Sequence, residues 1–254
     1  MKLMLPNKIK WETNPFLLNS LGLDKLSAPI VSIVGGGGKS STLEQLTKDY
    51  ELKGESVIVT TTTHMMPPKH WTWCKEESLE VVDRYLEEEN VLWIGLQSET
   101  GKMMSPSIDF LKNLTTKKLP ILIEADGARR LPFKVPSEWE PVILEESTMV
   151  IGVLGMDALG KPLKDMCFRY ELASKLLQKS EDNLITKEDY VNVICNTWGL
   201  KKGVEKSMDY VVVLNKVDDE HSLKEALDIR GMLRERGINK VFLSSYLSRS
   251  KSPC

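Results

Sequence analysis

The chain has few of the features that would assign it cheaply. Its four cysteines, Cys74, Cys167, Cys195 and Cys254, are far apart and form no C-x-x-C pair, so neither a redox motif nor a zinc knuckle is written in them. Basic and acidic residues almost balance, 34 against 36, and no basic tract stands out. That excludes the electrostatic footprint of a nucleic-acid binder. No run approaches the roughly 18 apolar residues of a membrane span, and "MKLMLPNKIKWETNPFLLNSLGL" is broken by polar residues too often for a signal peptide. There is no repeat and no low-complexity tract. The expectation is a cytoplasmic protein with reduced thiols and neither membrane nor nucleic acid as a partner.

What is present is an ordinary globular composition, 254 residues with 41% hydrophobic and 28% charged, enough to bury a sizeable core. "PIVSIV" at 29–34 is short, β-branched and bounded by Pro and Gly, as buried parallel strands are. Similar runs recur at 56–64, 90–95, 119–126, 148–155, 209–215 and 240–245. Between them, 39–52, 79–89, 169–178, 186–198 and 225–237 carry helical spacing, with Gly54 and Gly237 as stops and Thr186 as a cap. Strands alternating with helices predict an α/β fold, a doubly wound, mainly parallel sheet with helices on both faces, P-loop NTPase-like. Residues 1–28 read as a helical lead-in and 29–254 as one nucleotide-binding domain.

"IVGGGGKS" lies between the first strand and the first helix. It misses the dinucleotide pattern G-x-G-x-x-G, because position 40 is Ser40, and the strict P-loop, because position 33 is Ile33. It does match the shorter G-x-x-G-K-[ST] from Gly35 to Ser40. Gly35, Gly36, Gly37 and Gly38 would turn backbone N–H groups towards phosphate, at the positive end of a helix. Lys39 would reach the β- and γ-phosphates and Ser40 would hold Mg²⁺, with Ser41 or Thr42 at the α-phosphate. The alternative is a glycine turn with an exposed lysine.

Magnesium sites beside such loops draw on an acid from a neighbouring strand end. "ILIEADGARR" offers Glu124 and Asp126, with Asp126 the first choice because Gly127 would let backbone approach the γ-phosphate. "TTTTH" offers Thr61, Thr62 or Thr63 as a further ligand, although threonines also simply suit a strand. His64, His70 and Cys74 follow closely, in a spacing that matches no common metal pattern.

"VVVLNKVD" ends a strand in N-K-x-D, the arrangement that selects guanine in GTPases. Asp218 would accept the N1–H and exocyclic amine of the base, Asn215 would brace the loop, and the Lys216 stem would cover the ring. Adenine would leave a buried Asp218 unpaired, at about 1–3 kcal/mol or more. The competing reading is a strand-to-helix turn with Asp218 as a cap. Ser244 and Ser245 end the following strand, near where a short backbone contact to the base would fall.

The loop, "TTTTHM", "EADGA", "LGMDALGKPL" and "LNKVD", in that order from about Ile30 to Asp218, resemble the YqeC family of selenium cofactor biosynthesis proteins. The resemblance implies an accessory role in maturing selenium-dependent molybdenum hydroxylases, with a client metalloenzyme or its cofactor as partner. This chain has Lys-Ser-Ser where Lys-Thr-Thr is usual, and "CFRYE" where a His-Arg-Pro-Glu-like stretch is expected. The first change keeps a hydroxyl; the second leaves Arg169 and Glu171 as candidates. Arg129, Arg130 and Lys134 in the family-like "RRLPFKVPSEWEPVI" could bind an anion or be solvated loop cations. The functional expectation is a Mg²⁺-dependent GTP-binding and hydrolysing protein, of a kind that often forms homodimers. An ATP-dependent enzyme with a Mur-ligase-like short loop and a nucleotide-gated scaffold are its alternatives.

Overall fold

The apolar runs are buried at every position rather than alternately, which is what strands covered on both faces require. A computed structural model describes residues 1–246 and shows ten strands in one sheet. They are β1 (Lys2–Met4), β2 (Glu12–Thr13), β3 (Ile30–Gly35), β4 (Val57–Thr61), β5 (Thr72–Cys74), β6 (Val91–Ile94), β7 (Ile121–Glu124), β8 (Met149–Gly155), β9 (Asp209–Asn215) and β10 (Val241–Ser245). Their order in space is β2-β1-β10-β9-β8-β3-β7-β4-β6-β5. Every pairing from β10 to β5 is parallel. The seven strands read from the sequence are the contiguous middle of this sheet.

The helices of eight residues or more are α1 (Lys39–Lys53), α2 (Leu79–Glu88), α3 (Ile108–Thr115), α4 (Tyr170–Leu177), α5 (Lys187–Cys195) and α6 (Glu220–Glu235). Side chains alternate across the sheet, so Val31 and Ile33 join one core with Leu43, Leu46 and Tyr50 of α1. Ile30 and Val34 join the other, with Val82, Leu111, Ala173, Tyr190 and Ile229 from the remaining helices. The fold is α/β with helices on both faces of a mainly parallel sheet. No helix among the described residues is long and apolar enough to cross a membrane.

Several elements differ from the sequence reading, which lacked α3 and β5 and ran α5 on to Trp198 where it stops at Cys195. Residues 1–28 supply β1 and β2, antiparallel at the sheet edge, and only a four-residue helix and a 3₁₀ turn. Arg230 fastens this segment by donating to the carbonyls of Leu5 and Lys8, at 3.1 and 3.0 Å. The strand expected to run to His64 stops at Thr61, and His64–Met65 pairs instead with Met103–Met104 in a small antiparallel sheet. Helix α6 begins at Glu220, not Glu225, because an Asp219–Ser222 capping box starts it through a polar first turn that shows no apolar periodicity.

The consequence for function is geometric. Parallel strands β3, β4, β7, β8, β9 and β10 deliver their C-terminal ends, and every motif singled out above, to one edge of the sheet.

Leu3, fully buried on β1, tests whether the first residues are part of the core. Leu3→Ala is expected to cost about 2–5 kcal/mol in urea unfolding, as a core truncation does. A segment merely appended to the domain would show almost no change.

Candidate functional site

The glycine loop is held by contacts that leave no room for side chains. A Cβ on Gly37 would meet the Gly155 nitrogen at 2.4 Å, and one on Gly38 the Asn215 amide at 2.0 Å; their φ angles are +69° and +146°. Only glycine fits both the space and the backbone. The Gly35 N–H donates to both oxygens of Asp126 (3.1 and 3.0 Å), Gly36 to the Val153 carbonyl (2.8 Å) and Gly37 to the Leu131 carbonyl (3.0 Å). The expectation that these three amides face a phosphate is therefore corrected, since each already has an acceptor. Those of Gly38, Lys39, Ser40 and Ser41 have no acceptor among the described residues. They open α1, whose first turn contains no acidic residue, so four donors without acceptors stand together at the positive end of a helix.

Lys39 is buried and folded back. Its Nζ donates to the Gly35 carbonyl at 2.6 Å and pairs with Asp126 at 3.2 Å. Asp126 also pairs with Lys134 at 3.0 Å, and Lys134, wholly buried, reaches Glu140 at 2.8 Å. Arg169 closes the chain on Glu140 at 3.0 Å. Lys134 is thus neither solvated nor open to a substrate anion. The sequence reading missed Glu140, although it lies within a segment already singled out; no sequence signal marks which loop acid meets a buried lysine.

Glu124, rather than the first-choice Asp126, lies beside the Ser40 hydroxyl expected to hold magnesium. Ser40 Oγ donates to Glu124 Oε2 at 3.0 Å, while both Asp126 oxygens are taken by an amide and two ammonium groups. Gly127 is not sterically demanded either, because a Cβ there would meet only Thr63 Oγ1 at an ordinary 3.6 Å. Burial raises the Glu124 carboxyl above its usual range, against the lowering pull of Lys39 and the Ser40 hydroxyl. For Glu140 burial also acts upwards, but Lys134 and Arg169 outweigh it and hold the carboxyl low.

The N-K-x-D turn meets the loop directly. Asn215 Nδ2 donates to the Gly37 carbonyl at 2.8 Å, and Ser244 donates to Asn215 Oδ1 at 2.9 Å. Ser245 donates to Asp218 Oδ1 at 2.6 Å. The two serines thus orient the motif's side chains. Asp218 itself is exposed, which corrects the expectation of a buried carboxylate. Lys216 pairs with Asp157 at 2.6 Å, and the other Asp157 oxygen is buried without a hydrogen-bond partner. Asp157 was passed over as a residue, although "LGMDALGKPL" was picked out as a stretch.

The remaining candidates divide. Thr61 Oγ1 donates to the Glu124 carbonyl and Thr62 Oγ1 to the Val142 carbonyl. Ser41 makes no side-chain hydrogen bond, whereas Thr42 turns back on the Gly38 carbonyl at 3.0 Å. His64 and His70 are exposed and Cys74 is buried in β5; no metal-holding group of three or more His, Cys, Asp or Glu occurs among the described residues. Arg129 and Arg130 are exposed with positive φ, Arg129 lies 5.2 Å from the Phe168 ring, and Glu171 is exposed.

Two predictions follow from the ion chain. Lys134→Met leaves Asp126 and Glu140 buried without their shared cation and is expected to cost about 3–5 kcal/mol in denaturant unfolding. Arg129→Ala should stay within about 0.5 kcal/mol. Because the Glu140 pKa is lowered by folding, its contribution is present above the ordinary carboxylate range and lost as pH falls through the folded value. Glu140→Gln should therefore weaken the protein most near neutrality, with the deficit shrinking on acidification. Glu124 has the opposite sign, so Glu124→Gln should gain relative stability as pH rises. Urea midpoints across that range check both directions.

The family model described as "YqeC protein" matches residues 31–171, which include the glycine loop, Glu124, Asp126, Lys134, Glu140, Asp157 and Arg169. A protein of Escherichia coli (strain K12), described as "Uncharacterized protein YqeC", is 27% identical over 233 residues, spanning 89% of this chain and 91% of the relative. A match over more than half its length, which takes in the glycine loop and its ion pairs but not the Asn215–Asp218 turn, shows that the chain belongs to the YqeC family.

Proposed function

We propose that the chain binds GTP with Mg²⁺ at this sheet edge and hydrolyses it, and that this nucleotide cycle serves maturation of selenium-dependent molybdenum hydroxylases. The observation that carries the nucleotide reading is the 2.8 Å bond from Asn215 to the Gly37 carbonyl. A phosphate-loop pattern and a guanine-selecting pattern, 178 residues apart, become neighbours in one site. A glycine turn with a stray lysine does not account for that meeting.

The chain's own groups supply the rest. The amides of Gly38, Lys39, Ser40 and Ser41 provide donors for phosphate oxygens at the positive end of α1. Lys39 lies on the loop, held by Asp126, and its ammonium stabilises phosphoryl charge once it leaves the Gly35 carbonyl. Ser40 and Glu124, already in contact, fit a hard cation that takes oxygen ligands. Mg²⁺ bound there would neutralise phosphate charge. Ser245 presents Asp218 for the two donors of guanine, and covering by the base would desolvate a carboxylate that is now exposed. The client metalloenzyme or its selenium-containing cofactor rests on the family resemblance.

Calorimetry of the full chain with GTP and with ATP, each with Mg²⁺, tests this reading. GTP should bind more tightly, and Asp218→Ala should weaken GTP by about 10–100-fold, the equivalent of one lost charged hydrogen-bond pair, while leaving ATP within about threefold. Equal binding of both nucleotides, unchanged by the substitution, would overturn the choice of guanine.

A further inference from the structure

A recess of about 400 Å³ opens between the 135–138 segment, α4 and the residues after α5. That volume lies within the range of small-molecule sites. Val135, Pro136, Leu172 and Leu176 make its walls apolar. Trp198 stands on its border with 67% of its surface exposed, and among the described residues no aromatic ring stacks on it. Ser137 also lines the recess, is only 3% exposed, and its Oγ has no hydrogen-bond partner among the described residues. The Oγ has almost no accessible surface, so the hydroxyl lies behind the wall of the recess rather than open to it.

The charge at the rim is uneven. Lys175 and Lys202 border the recess, and neither is in an ion pair among the described residues. Lys202 is fixed in place by donating to the Ser137 and Glu138 carbonyls at 2.6 and 2.7 Å, with its Nζ 6.0 Å from the Trp198 ring. The Glu138 carboxylate is the one acid on the border, so two cations face one anion.

We propose that this recess is a second binding site, for a small aromatic molecule carrying one negative charge. The ring stacks on Trp198 between apolar walls, and the acid group meets Lys175 and Lys202. The site adjoins the loop cluster through the chain, because Lys134, which holds Asp126, directly precedes Val135, and Pro136 borders both places. The proposal does not depend on which nucleotide, if any, the glycine loop takes.

Calorimetry of the full chain with 1-naphthoate and with its neutral counterpart 1-naphthamide tests it. One saturable site is expected for naphthoate, at least about tenfold tighter than the amide, and Lys175→Gln should narrow that gap. Leu176→Trp, which fills the recess, should abolish binding, and Trp198→Leu should weaken it about tenfold. Should Leu176→Trp unfold, as circular dichroism would reveal, the exposed positions Lys175 and Trp198 carry the test alone. No saturable heat up to millimolar naphthoate, equal binding of the amide, or binding unchanged by Trp198→Leu and Lys175→Gln would overturn the proposal.

Discussion

The candidate site depends on one buried carboxylate. Asp126, 2% exposed, stands between the end of β7 and the glycine loop, where a buried charge without partners costs several kcal/mol. The protein surrounds it with the Gly35 amide and the ammonium groups of Lys39 and Lys134. Lys134 is then itself a buried cation and needs Glu140, and Glu140 is balanced in turn by Arg169. Each step follows from the one before. The product is a loop whose first three amides are consumed by internal bonds and whose next four, from Gly38 to Ser41, are left at a helix N-terminus.

What holds the loop from the other side is neutral. Asn215 reaches it from the end of β9, Ser244 orients Asn215, and Ser245 orients Asp218. The two halves differ in exposure, with Asp126 and Lys39 buried and Asp218 at the surface. A phosphate-binding end can be rigid before a ligand arrives, because amides and a helix terminus are fixed by backbone. In the proposed function, a carboxylate kept in water until a base covers it avoids standing desolvation.

Much of this was legible in the sequence, for identifiable reasons. Strands buried on both faces leave unbroken apolar runs, and the β3–loop–α1 unit declares itself through four glycines, a lysine and a serine. Edge strands declare little: β1 and β2 are three and two residues long, flanked by polar chain, and owe their pairing to β10 and to Arg230 far along the sequence. Strand β5, three residues long, was likewise too short for alternation to mark it. Lys134 is the instructive failure. A lysine in a loop beside two arginines reads as solvated, and only the convergence of Asp126 and Glu140 in space makes it a core residue. Of the two acids that the sequence offered, Asp126 pairs with lysines and the Gly35 amide, and Glu124, two residues earlier, is the one that Ser40 touches. Spacing puts both on one strand end; it does not say which is already neutralised.

The central claim, that the Gly38–Ser41 turn is a phosphate seat joined to a base-reading turn at Asn215–Asp218, is tested most directly on the backbone itself. Amide ¹H–¹⁵N resonances of the full chain, recorded as GDP and Mg²⁺ are added, should shift at Gly38, Lys39, Ser40 and Ser41 and, in the same titration, at Lys216 to Asp218. Those of Gly35 to Gly37 should move less, being bonded within the protein. Unmoved resonances at Gly38–Ser41, with nucleotide present at saturating concentration, would contradict the account.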